Sequence, residues 1–511
     1  MPAPNEKLAA SMEQLQSVQG ERRVLRSAEL SRTHRDRLVR SGLLRRATKG
    51  WLFVTNPADS PDNATGWYAC FWEFCASLCE HRFGDSWHLS SEASILQHAG
   101  VDAIPTQVVV CSRLAGNHAV QLPHGTSLLD LRLKEEVNPD DVTVNEDGLR
   151  VLTPSAALIG SSAHSFKTQR IAVTTVLARM DDHRYLLGRL LDGAHTTIAG
   201  RLAGSFRSIG REDVADDVIR GMRSAGFDVR ETCPWEYTTT VGLHTPVGHP
   251  AAIRIRIMWE SLRDVVIAIM PQASGPPTNT SAYLSAVDDQ YRLDAYHSLS
   301  IEGYRVSTEL IERVRMGTWS PRSNPGDSSD RDAMAARGYW QAFQQVRDTV
   351  EEVLSGANSA RLVRDRHQDW YRELFGPSVD VGLVTPSDLS GYRRHPTYLR
   401  GSRHVPMRWE GVPSAMKELF ELMDEDEEPA VRAVLGHFLF GFIHPYADGN
   451  GRMARFIMNT MLASGGYPWT AIRVADRKMY MDSLEAASLD QMIEPFAEFI
   501  AARIAATPTG R

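Results

Sequence analysis

The run Ala430 to Ile443 places Val431, Val434, Leu435, Phe438, Leu439 and Phe442 three and four residues apart, the spacing of one helical face. A second run with the same period carries Phe456, Ile457, Thr460 and Met461. Between them lies a polar block, His444-Pro445-Tyr446-Ala447-Asp448-Gly449-Asn450-Gly451-Arg452-Met453-Ala454-Arg455. Pro445 disfavours helical backbone at the residue before it and stops the first helix at His444. Gly449 and Gly451 open backbone conformations closed to other residues. The pattern predicts a helix, a polar loop and a second helix whose amino-terminal amides face outward, which is an anion site.

Elsewhere the pattern is more mixed. Residues 150–230 read as helical, with Ala199-Gly200-Arg201-Leu202-Ala203-Gly204 as a small-residue packing segment. Ile253, Ile255 and Ile257 alternate and predict strands over 250–270. Near the start, Ala28-Glu29-Leu30 precedes a predicted helix, Thr33 to Ser41, then Gly42-Leu43-Leu44 and a strand at Trp51 to Val54. His88 to Ala93 and a strand through Val108, Val109 and Val110 follow. Pro271 to Thr280 has the composition of a linker, and Gly317 to Asp330 that of a hinge. Asp424 to Glu428 reads as a solvated interhelical loop, and Cys70, Cys75 and Cys79 as core packing on an aromatic-rich helix.

The residue types in the polar block suit phosphate chemistry. His444 has an unperturbed pKa near neutrality and is the candidate general base. Asp448 is a hard oxygen ligand for Mg2+ bridging substrate phosphates. The Gly449-Asn450-Gly451 backbone approaches an anion closely, and the Asn450 side chain is expected to add a donor. Arg452 and Arg455 sit on one face of the second helix's first turn. Cations there oppose the helix dipole unless an anion is bound.

The block resembles the Fic signature His-Pro-Phe-x-Asp/Glu-Gly-Asn-Gly-Arg-x-x-Arg at every fixed position except Tyr446, which stands where Phe is usual and is expected to remain an aromatic core anchor. Gly391-Tyr392-Arg393, Gly466-Tyr467-Pro468 and Arg477 to Tyr480 are also similar to the family, over roughly residues 290 to 500. The resemblance implies transfer of AMP from ATP to a Ser, Thr or Tyr hydroxyl of a protein. It makes His444 the base and Asp448 the Mg2+ ligand. Gly449, Asn450 and Gly451 become the phosphate cradle, with Arg452 on the β- and Arg455 on the γ-phosphate. Tyr480 is assigned to the adenine pocket, and a β-hairpin flap at Thr397 to Val405 docks the target as an added strand. Gly451, where phosphate-transferring relatives carry Lys, favours AMP transfer.

Upstream, Ser298-Leu299-Ser300-Ile301-Glu302-Gly303 resembles the Fic inhibitory motif Ser/Thr-x-x-x-Glu-Gly/Asn. A helical glutamate docked beside the loop is expected to pair bidentately with Arg455 and occupy the γ-phosphate position, with Ser298, one turn earlier on the same face, helping to fix it. The resemblance implies an autoinhibited enzyme. The same glutamate activating water for removal of AMP is the alternative use.

At 511 residues the chain has room for two to four domains. Its 42% hydrophobic and 23% charged residues exclude wholesale disorder. No apolar run approaches the ~18 residues of a membrane helix. The start lacks a signal-peptide core, and five cysteines point to reduced thiols in a cytoplasm. The net charge of −7 hides an asymmetry: between Glu21 and Gly50 ten basic residues face three acidic ones, a local +7 that leaves −14 for the rest. That patch suggests DNA contact through residues 21–50. The segment resembles a small winged helix-turn-helix like that of the AbiEi antitoxin family.

The predicted organisation is therefore multidomain. It has a winged helix-turn-helix at 1–60, an α+β AbiEi-like region at 61–270 and a linker at 271–289. An inhibitory helix segment follows at 290–316, then an all-α Fic bundle with its hairpin flap at 330–505. The expected activity is protein adenylyltransfer with Mg2+ and ATP, with a hydroxyl-bearing protein substrate and a homo-oligomer among the partners. The competing reading is a DNA-binding repressor whose Fic half is a sensor or toxin.

Overall fold

A computed structural model describes residues 4–58, 60, 62–180, 182–235, 249–318 and 331–507. The chain forms two compact units, Met1–Val247 with Tyr398–Val405, and Gly248–Thr397 with Pro406–Arg511.

The first unit opens with a helix, α1 (Pro4–Gln19), strand β1 (Val24–Arg26), a 3-10 turn at Ser27–Glu29 and helix α2 (Arg32–Arg40). Strands β2 (Leu44–Thr48) and β3 (Trp51–Val54) then form an antiparallel hairpin, and β1 joins β3 to give the order β1-β3-β2. Ser31 caps α2 by accepting from the His34 amide. The small core is built almost wholly of leucine: Leu15, Leu25, Leu30, Leu38, Leu44 and Leu52. The opposite face of β3 turns Trp51 and Phe53 into a larger aromatic core with Trp67, Phe71 and Phe74.

That larger core also holds Cys70, Cys75 and Cys79, as expected, and their burial pushes the thiols up. It packs the Phe71–Phe83 helix on a sheet of β4 (His88–Leu89), β5 (Gln107–Ser112), β6 (Ala119–Gln121) and β7 (Ser127–Arg132), in the order β4-β5-β7-β6 with β5 and β7 parallel. Beyond a small hairpin, β8 (Val142–Val144) and β9 (Arg150–Leu152), the unit is helical. In the Thr196–Ser208 helix a Cβ on Gly200 would lie 2.0 Å from the Arg230 carbonyl oxygen. The small-residue segment is therefore a close packing surface.

Residues 397–405 contain no strand, contrary to the expected flap hairpin. Tyr398 and Val405 pack against the aromatic core of the first unit, and the Ile104 amide donates to the Arg403 carbonyl at 3.1 Å. Partial burial of its two ends holds the segment as an irregular turn.

The second unit is helical. The Pro429–Ile443 and Asn450–Ser464 helices lie at its centre, both almost fully buried. The Arg331–Leu354, Ser359–Asp380 and Val412–Glu425 helices pack around them. A Cβ on Gly338 would lie 2.0 Å from the Leu374 carbonyl oxygen, so two of these helices cross at backbone contact.

Residues 250–269 form a helix, not strands. Ile253, Ile255, Ile257, Met258, Trp259, Leu262 and Val266 are all buried, so apolar residues surround much of the helix and mimic alternation locally. Its 20 residues, started by Pro250, exceed an ordinary strand. This helix belongs to the second unit, and the next begins at Thr280, inside the expected 271–289 linker. The acidic run is also more than a solvated loop: Asp426 is buried and accepts from Trp259 Nε1 at 3.0 Å and Arg263 Nε at 2.8 Å. The expected hinge at 317–330 lies almost wholly outside the described residues. Among the described residues no helix is long and apolar enough to cross a membrane.

Candidate active site

The first central helix ends at Ile443, and His444 adopts a left-handed backbone (φ 54°, ψ 60°) that turns the chain sharply out of it. This conformation is uncommon for a residue other than glycine and needs support from outside. Arg393 supplies it. Its buried guanidinium donates to the carbonyls of His444 (2.8 Å), Met407 (2.6 Å) and His395 (3.0 Å), and its own amide donates to the Pro445 carbonyl at 2.8 Å. Gly391-Tyr392-Arg393 stood out in the sequence, but this bracing role did not. Its partners are backbone carbonyls, which leave no residue-type signature.

The next residues are held by aromatic stacking. Tyr446 is fully buried and stacks on Tyr371 with ring centroids 3.8 Å apart and planes within 8°, the expected core anchor. Asn450 Oδ1 accepts from the Tyr446 amide at 2.9 Å, while its Nδ2 donates to the Tyr446 carbonyl at 2.8 Å. The side chain expected to add a donor to the anion is thus spent closing the loop, and Asn450 is 2% exposed. Its contribution to an anion is limited to its backbone.

Gly449 starts the second helix in a left-handed conformation (φ 79°), and a Cβ there would lie 2.7 Å from the Phe375 ring. Both backbone and space require glycine. The Asp448 carboxylate accepts from the Gly449 amide at 2.6 Å, lies 3.6 Å from Arg452 and is otherwise open to solvent.

His444 is half-buried. Its Nδ1 faces the Gly441 carbonyl at 3.4 Å, which places the ring proton on Nδ1 and leaves the Nε2 lone pair as the proton acceptor. Burial first, and the Arg393 cation second, lower its pKa to about 4, so the imidazole is neutral at neutral pH.

Both arginines of the block are buried, at 1% and 2% exposure. The Arg452 guanidinium lies between the rings of Tyr304 (5.1 Å) and Phe375 (4.9 Å). Arg455 meets the helix Thr280–Ile301. Its Nη2 donates to Glu302 at 2.7 Å and to the Ser298 carbonyl at 3.2 Å, and its Nε donates to Ser298 Oγ at 2.9 Å. Burial works to raise the Glu302 pKa, but the Arg455 and Arg452 charges outweigh it and hold the carboxyl below its ordinary value. Gly451 makes room for this contact: a Cβ there would sit 2.3 Å from Glu302 Oε1.

Glu302 occupies the C-cap of its helix, and the chain then turns at Gly303 with φ 87°. The Gly303 amide donates to Ser300 and the Tyr304 amide to Leu299, each at 3.1 Å, the paired bonds of a Schellman motif. One turn therefore places Glu302 on Arg455 and Tyr304 on Arg452. Arg477 Nε donates to the Ile301 carbonyl at 2.9 Å, and the Val474 amide donates to His297 Nδ1 at 3.3 Å, tying down the same helix end. Deeper in the helix, buried Asp294 accepts from the Tyr339 hydroxyl at 2.7 Å, and burial raises its pKa to about 6. Tyr304, Arg477 and Asp294 were not singled out from the sequence for any of these contacts.

Tyr480 is 1% exposed, its ring against Phe496 and Phe499 and its hydroxyl 2.9 Å from His437 Nε2. It lies in the core near Arg455. This placement gives it no open face for a base to stack on.

Residues 359–462 match the Fic/DOC family model. Proteins named protein adenylyltransferase Fic are similar to this chain: that of Aedes aegypti at 36% identity over 42% of this chain and 40% of its own length, that of Drosophila erecta at 35% over 47% and 44%, and that of Nematostella vectensis at 28% over 44% and 49%. The chain thus spans less than half the length of these curated relatives. A solved structure of Fic-1 (residues 134–508) from C. elegans aligns at 18% identity with a TM-score of 0.37, covering 66% of this chain and 94% of that one. The matched span contains the whole loop from His444 to Arg455, the Pro429–Ile443 helix before it and the Asn450–Ser464 helix as far as Leu462, so residues 359–462 are the chain's Fic domain.

Proposed function

We propose that this protein is an autoinhibited protein adenylyltransferase. In the reaction, a hydroxyl oxygen of the target attacks the α-phosphorus of ATP as its proton passes to His444 Nε2. The bond from the α-phosphorus to the bridging oxygen breaks, and pyrophosphate leaves. Rate enhancement comes from positioning and charge: the amides at the start of the Asn450–Ser464 helix, with Arg452 and Arg455, face the charge that builds on the phosphates. The half-exposed Asp448 carboxylate is a hard oxygen ligand that would hold Mg2+, which when bound would neutralise phosphate charge.

The observation that carries the proposal is the buried Arg455 guanidinium, paired not within its own loop but with a carboxylate from another helix. Glu302 stands where an anionic ligand is expected, so the site is complete and blocked. The depressed pKa makes Glu302 a weak base, which favours the blocking role over activation of water.

The test is labelling of proteins by ATP carrying a labelled α-phosphate. Glu302→Gly raises labelling well above the unmutated chain, and adding His444→Ala abolishes it. Equal labelling with and without Glu302→Gly eliminates the brake. Release of AMP from a pre-labelled target, lost on Glu302→Gly, would establish the water-activating role instead.

A further inference from the structure

We propose that the groove between α2 and the β2–β3 hairpin binds the phosphate backbone of duplex DNA. This site is separate from the adenylyltransferase reading and does not depend on it.

The ten basic residues of 21–50 divide into two groups. Some serve the fold: Arg22 pairs with Glu29 at 2.9 Å, Arg23 donates to the Ala69 carbonyl, and Arg37 donates to the Lys7 carbonyl and Ser11 at 2.7 Å. Others do not. Arg40, Arg46 and Lys49 are exposed, and no hydrogen bond or ion pair engages their side chains among the described residues. Arg40 and Arg46 line a cleft of about 730 Å³, together with Arg35, Asp36, Val39 and Trp51. Lys49 precedes Gly50, which lines the same cleft at the tip of the hairpin. Against three cations and the turn lysine, Asp36 is the one carboxylate in the lining, and it is already paired with Arg35 and Arg32.

The shape selects among polyanions. Arg32, Asp36, Val39 and Arg40 follow one another at i, i+4, i+7 and i+8, so they share the face of α2 opposite buried Leu38. That face is open: the Arg32 side chain is 88% exposed and Val39 is 42% exposed. A nine-residue helix is about 13 Å long, and its width suits the roughly 12 Å major groove of B-DNA. The cleft, which Asp36, Val39 and Arg40 of this same face line together with Arg46 and Trp51 of the hairpin, then receives one phosphate strand. Single-stranded nucleic acid is recognised by stacking on exposed aromatics, whereas the lining aromatic, Trp51, is only 7% exposed. The major groove of double-stranded RNA is too narrow for a helix.

Fluorescence anisotropy of the full chain with a labelled duplex of about 30 base pairs tests this, over about 50 to 200 mM KCl. Binding is expected to weaken with salt with a log–log slope near −3, about 0.9 per phosphate neutralised. Arg40→Gln/Arg46→Gln/Lys49→Gln should weaken binding at least about tenfold at low salt and flatten that slope. A charge-matched variant elsewhere, Lys134→Gln/Arg364→Gln/Lys417→Gln, and His444→Ala should both bind as the unmutated chain does. Absence of duplex binding at low salt overturns the proposal. So does equal loss in the charge-matched variant, or tighter binding to single-stranded RNA or to phosphatidylserine vesicles than to duplex DNA.

Discussion

Gly303 offers a clean way to weaken the brake without touching a charge. Its φ of 87° lies in the region that L side chains rarely adopt, yet a Cβ built there would meet nothing within 4 Å. Gly303→Ala therefore costs backbone energy alone, about 1 to 2 kcal/mol. The left-handed turn is what directs Glu302 and Tyr304 to the two arginines, so that cost falls on the docked helix end. At about 1.4 kcal/mol per factor of ten, release of Glu302 should become about 5- to 30-fold more populated. Labelling by α-labelled ATP should rise by a similar factor while the docked state still predominates. Gly303→Asn, which tolerates the left-handed region better, should rise less. The decisive comparison is in the Glu302→Gly background, where the turn has no carboxylate to deliver. There Gly303→Ala should change nothing, a coupling of the kind a double-mutant cycle isolates. An equal increase in both backgrounds, or none in the unmutated one, refutes the argument that this turn sets the brake.

Three further expectations concern the docked helix end and the base. Arg477→Ala removes the donor on the Ile301 carbonyl, a part-buried charge-assisted bond of about 1 kcal/mol. Labelling should rise severalfold in the unmutated chain and stay flat in Glu302→Gly. The pH profile of Glu302→Gly activity should show no loss of the base near pH 6.5, because the neighbours that lower the His444 pKa, burial and Arg393, remain. Glu302 itself acts to raise that pKa, so its removal moves the acid limb below about 4, not above it. An acid limb near 6.5, the value of a free imidazole, would show that burial and Arg393 do not depress the His444 pKa. The brake has the opposite dependence: a carboxyl with a depressed pKa stabilises the docked state above its free value and loses that contribution as pH falls through the docked value. Inhibition should accordingly be constant across neutral pH.

What was legible in the sequence follows from how far each signal reaches along the chain. The loop from His444 to Arg455 is twelve neighbouring residues between two helical repeats, so its local geometry is written locally. Ser298 and Glu302 were legible at long range only because their residue types and their spacing of four survive as a motif; the contact with Arg455 is made, but through one Glu302 hydrogen bond instead of the expected bidentate pair, with Ser298 bonded to Arg455 and not to the glutamate. Asn450 misled because a buried amide satisfied by its own loop looks the same in sequence as one aimed at a ligand. The helix 250–269 misled because burial around much of its circumference erases the three-to-four period. The flap failed because Tyr398 and Val405 find their partners near Ile104, some 300 residues away. Arg393 and Arg477 act on carbonyls, which every residue carries.

The state of Arg455 links inhibition to stability. Its guanidinium is buried, two of its nitrogens are committed to Ser298 and Glu302, and Nη1 has no partner among the described residues. Removing Glu302 leaves this cation without its counter-charge, a loss of about 3 to 5 kcal/mol when a fully buried pair is broken. The Glu302 side chain is 24% exposed, so water enters and the cost falls towards about 3 kcal/mol. An anion in the same place restores the charge balance. Comparing His444→Ala with His444→Ala/Glu302→Gly avoids any chemistry during the measurement. The double variant should melt several degrees lower, about 2 to 4 °C per kcal/mol for a unit of this size. Mg·ATP should raise its melting temperature more than that of the single variant, because only there does the nucleotide replace a missing charge without displacing a carboxylate. Equal melting temperatures would show that solvent fully compensates Arg455. Equal shifts with ATP would show that Glu302 and the nucleotide do not compete for it.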